Sequence, residues 1–409
     1  MHKDLIVIGA GVAGTRLAVT AARQGVETLL IGSALLDGAL CSAGSESTHR
    51  LYQEVVSGST LAEALRAVRD EQQATRSLAH KALQSLEHLT FVSGSARFLS
   101  ARVVEVDGTQ YAADHIVVAT GAKTFLPSIP GIDQVPWMTP DSLAKQKRAP
   151  KHLIILGGGA LGCEYASLLS LAGVKVTLVE RNAHIASSLP EDVRSRLVSS
   201  LTARGVRIIT GVATTGVSHK KQFSLSLSGA DVSRISADAL LLATGRVPQT
   251  ESLELSRAGV SADGRGFITV DARLRSTNTH VYALGECTGT TGKAAAFYQS
   301  WMILEHIFFR KRTQFSPQHI PWAVYTEPMV AGVGTLSSRH KSLTAQRQQY
   351  ARVAINKGSL LGGVVMGAGA DAVANELSSL MLMGSGAENA LRSVPRLQGS
   401  SSEILNFLS

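Results

Sequence analysis

Apolar residues run unbroken from Leu5 to Ile8, stop at the glycine turn "GAGVAG", and recur at helical spacing through Ala18 and Ala22 before a second strand-like run, Thr28 to Ile31. A short continuous apolar run bounded by glycine fits a buried strand, and apolar residues on one face of a 3.6-residue period fit a helix. The order predicted is therefore strand, turn, helix, strand, with Gly25 as the helix stop. The same grammar returns in "HLIILGGGALGCEYASLLSLAGVKVTLVERN", His152 to Asn182. Both segments are expected to open βαβ units. Between them, Thr60 to Leu89 keeps helical periodicity with no Gly or Pro and predicts one long helix. "ARVVEV" and "TQYAADHIVVATG" predict strands, and two more strand-to-glycine junctions fall at Ala239 to Gln249 and within His280 to Phe309. From "IPWAVYTEP" onward the pattern becomes strands, "ARVAINKGSLLGGVVMG", followed by a helix, "DAVANELSSLMLMG", which predicts a separate α+β unit.

Length and composition narrow the class. A chain of 409 residues exceeds one ordinary core, and at roughly 100–200 residues per domain two or three are expected. With 44% hydrophobic and 17% charged residues the chain is core-forming rather than disordered. No apolar run approaches the ~20 residues that span a bilayer, and the apolar opening ends in a glycine turn rather than a cleavage site, so it reads as a strand. The net charge is +9, but Lys and Arg are scattered and the densest cluster, Phe308 to Phe315, is short, so no nucleic-acid partner is expected. Cys41, Cys163 and Cys287 lie far apart and form neither a CxxC pair nor a disulfide framework. A reducing, cytoplasmic compartment is expected.

The chemistry sits at the glycine turns. Gly9-x-Gly11-x-x-Gly14 and Gly157-x-Gly159-x-x-Gly162 each follow a predicted strand and open a predicted helix, the context that makes the motif informative. The first glycine turns the chain, the second lets backbone approach a pyrophosphate, and the third lets helix sit close to strand. The anion then caps a helix N-terminus. In the second unit Glu180 ends "VTLVE", where a carboxylate binds ribose hydroxyls and repels a 2′-phosphate, which favours NAD(H). In the first unit that position is Gly32, and Glu27 comes too early in the strand to replace the acid.

Six segments in order, "GAGVAG", "VVATGAKTFLPSIPG", "GGGALGCEYASLL", "LLATGRVPQT", "VYALGECTG" and "YTEPMVAGVG", give the chain a resemblance, over nearly its whole length, to the flavoprotein pyridine nucleotide-disulfide oxidoreductases, the group of dihydrolipoamide dehydrogenase, glutathione reductase and mercuric reductase. The resemblance implies an α/β fold with two Rossmann-like dinucleotide-binding domains and a C-terminal α+β interface domain. The expected divisions are 1–149 and 263–318 for the two parts of an FAD domain, 150–262 for an NAD domain, and 319–409 for the interface domain. It also implies FAD and NAD(H) as cofactors, with Gly9, Gly11, Gly14, Thr120, Gly121, Gly285 and Glu286 serving FAD, and Gly157, Gly159, Gly162, Glu180 and Gly245 serving NAD(H). A homodimer is expected, or a hetero-oligomer built through the same domain.

The departures from the family bear on mechanism. Relay-type members carry two cysteines five residues apart; laid on this chain, Cys41 takes the first position, Glu46 the second and Arg50 that of a lysine. A dithiol relay needs two sulfurs about 2 Å apart when oxidised, and neither Cys163 nor Cys287 is near in sequence. Both read as small buried residues. The family's histidine acid/base, supplied by a partner subunit, aligns with Gln398, which cannot shuttle protons, while Glu403 is retained. Glu286 stands where the family has an aspartate, and Glu164 matches an acid that pairs with the family's lysine, so a pair with Arg50 is expected. His49 lies in the altered motif, and His280 and His306 sit among apolar residues where a core role is expected. No spacing suggests a metal site, and no GxSxG elbow supports acyl transfer.

These residues predict an FAD-dependent NADH oxidoreductase without a dithiol relay, passing electrons to a small acceptor such as a quinone, oxygen or another carrier. Cys41, Glu46, Arg50 and Glu164 are its candidate catalytic residues. Two alternatives stay open: a non-catalytic or cofactor-sensing partner subunit, and a single-cysteine thiol or peroxide reductase using Cys41.

Overall fold

The computed structural model describes residues 2–33, 45–143, 146, 149–229, 233–336, 341–347 and 349–408, with backbone alone at 45–47, 141 and 341. Cys41 lies outside these residues, and Glu46 is placed by backbone only, in helix Ser45–Val56.

Strand His2–Ile8 buries Leu5, Ile6 and Val7 completely because it lies inside a parallel sheet covered on both faces, which is why its apolar run does not alternate. It pairs with Thr28–Gly32 on one side (Val7 opposite Leu30) and with Thr109–Val118 on the other (Val7 opposite Val117). Leu89–Ser93 and Val281–Ala283 extend the parallel run outward from those neighbours, and an antiparallel pair, Ala96–Ser100 and Val103–Val106, completes seven strands. All parallel strands end at one edge, and the "GAGVAG" turn leaves the sheet there, where ligands of open α/β sheets bind.

A second parallel sheet repeats the design with four strands in the order Arg207–Ile209, Lys175–Val179, His152–Leu156 and Ala239–Leu242. A five-stranded antiparallel sheet, from Trp322–Val324 to Ser359–Met366, is covered by helix Ala370–Met381. The predicted long helix runs over Leu61–Gln84. Thr60 and Glu63 form a capping box that starts it, and the residues toward Leu89 leave the helix to enter a strand that the periodicity did not separate.

The antiparallel sheet is stitched to the second glycine helix, Ala160–Leu171. The Tyr325 amide donates to Glu164 Oε1 at 3.0 Å, and the Glu327 amide donates to Ser167 Oγ at 2.9 Å. The Tyr52 hydroxyl, from helix Ser45–Val56, donates to Glu327 Oε2 at 2.9 Å. Enclosed on several sides, Ala160–Leu171 buries eight consecutive residues, Gly162 to Leu169, and so lacks the polar stripe of a surface helix. Among the described residues no helix is long and apolar enough to cross a membrane.

Candidate functional site

The two glycine turns superpose in their local constraints. Gly9 has φ +116°, and a Cβ there would stand 2.3 Å from the Ala119 carbonyl oxygen; Gly157 has φ +111°, with the Ala243 oxygen at the same 2.3 Å. A Cβ on Gly14 or Gly162 would stand 1.9 Å from the carbonyl oxygen of the turn's own first glycine. Only glycine permits these approaches. Gly11 and Gly159 cap helices Val12–Arg23 and Ala160–Leu171 without any side-chain bond, which leaves their first amides free for an anion.

A cavity of about 340 Å³ opens at the first turn, lined by Gly9 to Ala13, Gly32, Ser33, Thr120, Gly121, Gly285, Glu286 and Lys293. It therefore gathers most of the residues expected to hold FAD, with Gly14 behind the turn where it lets helix meet strand. Gly121 has open space beside it, so a bound dinucleotide would meet backbone rather than side chains. A long phosphate-bearing ligand fits this lining.

A second cavity, about 1350 Å³, adjoins the first and shares Glu286, Thr290, Gly292 and Lys293 with it. It reaches Ala160, Leu161 and Glu164 at the start of the second glycine helix, and Ser188 to Pro190 beyond it. Gly157, Gly159, Gly162 and Gly245 are not part of its wall. Gly159 and Gly245 nevertheless face open space, as a nicotinamide dinucleotide site at that turn requires. Glu180 is buried just past strand Lys175–Val179, its carboxylate accepting from the Gly158 amide at 2.6 Å and the Asn182 amide at 2.7 Å. Those bonds fix the acid beside the turn.

The larger cavity carries several polar groups. Arg246 Nη2 donates to Glu286 Oε2 at 2.8 Å and also to the Ala122 carbonyl. Glu164 is buried, and desolvation raises its pKa from the ordinary carboxylate range to about 7 despite the Tyr325 amide, which lowers it. The His49 ring lies parallel to that of Tyr325, centroids 5.1 Å apart and planes at 9°.

The expected Arg50–Glu164 pair does not form. Arg50 turns to Glu54 one helical turn on, at 2.6 Å, and to Glu71 of the neighbouring helix at 3.6 Å. An i,i+4 acid on the same helix is available without distortion, whereas Glu164 is occupied by the Tyr325 amide. His280 is half-buried and contacts Arg102 Nη2 at 2.7 Å rather than sitting in the core, while His306 meets the Thr313 carbonyl at 2.7 Å. Cys163 and Cys287 are completely buried. Gln398 is exposed, and Glu403 accepts from the Gly399 amide at 2.7 Å. Arg246, Lys293 and Tyr325 join the site without a sequence signal of their own, although Arg246 and Tyr325 lie inside the segments "TGRVPQT" and "YTEP".

Comparison with known proteins agrees with this geometry. The family model "Pyridine nucleotide-disulphide oxidoreductase" matches residues 3–324. The chain is 30% identical over 353 residues to the probable pyridine nucleotide-disulfide oxidoreductase RclA of Escherichia coli, covering 84% of this chain and 79% of that protein. It is 31% identical to a dihydrolipoyl dehydrogenase of Thermus scotoductus over 81% of this chain and 76% of the relative. Against a mercuric reductase of Bacillus cereus it is 30% identical over 254 residues, 61% of this chain but 40% of that longer protein. The solved structure of the HOCl-induced flavoprotein disulfide reductase RclA from Escherichia coli matches with a TM-score of 0.91 at 25% identity, over 99% of both chains. With its paired glycine turns, adjoining cavities and a family match spanning most of its length, this chain belongs to the pyridine nucleotide-disulphide oxidoreductases, a family of FAD- and NAD(P)-dependent oxidoreductases.

Proposed function

We propose that the protein is an FAD-dependent NADH oxidoreductase that works without a dithiol relay and reduces a small acceptor such as a quinone, oxygen or another carrier. The observation that carries this reading is the continuity of the two cavities at Glu286, Thr290, Gly292 and Lys293, which links the first glycine turn to the second glycine helix. When bound, FAD supplies a centre that takes two electrons from a nicotinamide and releases them to the acceptor. The chain's own residues do the rest. Gly9 to Ala13 present amides to the pyrophosphate, and Thr120, Gly121 and Gly285 line the remainder of the channel. Glu180 receives the ribose hydroxyls of NADH. The apolar part of the larger cavity's wall, including Leu161, Phe297 and Trp322, offers a surface for a flat hydrophobic ring.

Cys41 is the one cysteine in the segment that carries the family's pair, so a turnover independent of thiols is proposed, and Cys41→Ser is expected to leave it intact. The chain is divided at 1–149, 150–262, 263–318 and 319–409, the last segment forming a homodimer. Leu382 and Leu397, 71% and 82% exposed, mark apolar surface there for a second copy. A second reading, a cofactor-sensing partner subunit, draws on Gly32, whose ideal Cβ would fall 2.5 Å from that of Ala10. An acidic side chain does not enter that position without movement, so the first ribose lacks its usual acceptor.

The test is an anaerobic absorbance spectrum of the purified protein before and after stoichiometric NADH. Bound flavin that bleaches promptly supports the oxidoreductase. Flavin that binds but resists NADH moves the assignment to the sensing subunit.

A further inference from the structure

The larger cavity has one histidine in its wall. His49, on helix Ser45–Val56, borders it together with Glu164 and Tyr325. Two contacts fix the imidazole: the parallel stack on Tyr325, and the Gln53 side-chain amide one turn later, 3.1 Å from Nε2, whose oxygen is the group that accepts when the ring is protonated. Tyr325 is itself held, since its amide is bonded to Glu164. A ring restrained in plane and at one nitrogen, at the wall of a mostly apolar cavity, has the geometry of a proton donor rather than of a surface side chain.

The charges around it are assigned. On its own helix Arg50 is taken by Glu54, and from helix Leu61–Gln84 Glu71 faces the same arginine. Glu164 approaches from helix Ala160–Leu171, Glu327 is bonded to the Tyr52 hydroxyl, and Asp371 of helix Ala370–Met381 acts on both Tyr52 and Tyr325.

The geometry points to His49 as the acid that protonates the electron acceptor in this cavity, an intrachain imidazole in a chain that has Gln398 where its family draws one from a partner subunit. The inference rests on the oxidoreductase reading. For a quinone the balance is NADH plus one proton plus quinone giving NAD⁺ and hydroquinone. The nicotinamide supplies two electrons and one proton. The second proton leaves a ring nitrogen of His49 as that N–H bond breaks and an O–H bond forms on the quinone oxygen, and solvent then reprotonates the imidazole.

Stopped-flow oxidation of the reduced holoprotein tests this with two oxidants, a short-chain soluble quinone, which needs protons, and ferricyanide, which does not. In His49→Gln, which keeps size and a hydrogen bond, the ratio of quinone rate to ferricyanide rate is expected to fall by about tenfold or more. Any pH dependence that the quinone step shows and the ferricyanide step lacks should also disappear. An unchanged ratio and an unchanged pH profile would overturn the assignment. Should the variant lose its fold, the wild-type holoprotein in heavy water decides: a slowed quinone step with an unaffected ferricyanide step is expected, and equal behaviour overturns the proposal. Reducing the protein with dithionite separates the two readings, because failure of NADH to reduce the flavin counts against the oxidoreductase assignment while the quinone step still reports on His49.

Discussion

Arg246 and Glu286 form an ion pair of 2.8 Å on the wall of the larger cavity, where Glu286 also borders the smaller one, each side chain about five-sixths buried. The arginine also donates to the Ala122 carbonyl, which ties the loop after strand Ala239–Leu242 to the strand pair formed by Ala122–Thr124 and Arg246–Pro248. Removing one partner strands a largely buried charge beside the cavity at the first glycine turn. Arg246→Met is expected to lower stability by about 1–3 kcal/mol and to raise the FAD dissociation constant. Arg246→Met/Glu286→Leu should recover part of the stability but none of the flavin affinity. Urea denaturation and flavin fluorescence titration read the two effects separately.

Glu180 has both oxygens engaged by backbone amides, from Gly158 and Asn182, and is proposed to meet the ribose of NADH. Glu180→Ala removes those acceptors and the barrier to a 2′-phosphate. The dissociation constant for NADH should rise by about tenfold or more while that for NADPH changes less. Fluorescence titration with both nucleotides checks it, and parallel losses would place the effect in the turn rather than in ribose selection.

Glu164 supplies a pH signature of stability. Its folded-state pKa of about 7, raised by burial from 4.5, exceeds the unfolded one. Between those values the native state holds a proton that the unfolded chain has lost, so stability declines as pH rises from about 4.5 to 7 and levels off above. The whole decline is roughly 3 kcal/mol. Glu164→Gln, which still accepts the Tyr325 amide, is expected to flatten the curve. Urea midpoints at pH 5 and pH 8 make the comparison.

Cys163 and Cys287 are buried, and desolvation pushes their thiols up to about 12 and about 11. Neither forms thiolate near neutrality. In native protein at pH 8 both should stay unlabelled by iodoacetamide on a timescale over which the denatured chain reacts fully. Peptide mass spectrometry would detect a native adduct at either position, which would contradict the burial.

The local repeats were legible from the residues alone. Glycine spacing, apolar runs and the strand-end acid are properties of segments about 30 residues long, and such segments fold by their own turn geometry and burial pattern. That sufficed for both glycine turns, for Glu180 beside the second, and for the absent acid at Gly32. The pairings that compose the site join residues far apart in the chain. Glu164 meets an amide 161 positions away, Arg246 meets Glu286 across 40, and His49 stacks on Tyr325 from another element entirely. Sequence position suggested Arg50 as the partner of Glu164, yet an acid one turn away on the same helix costs Arg50 less to reach, and the antiparallel sheet brings the Tyr325 amide to Glu164 first. The amino-acid sequence determined the two glycine turns because their constraints are local and steric; the tertiary structure alone decided which charges meet at the cavities, because that depends on how separately formed sheets dock.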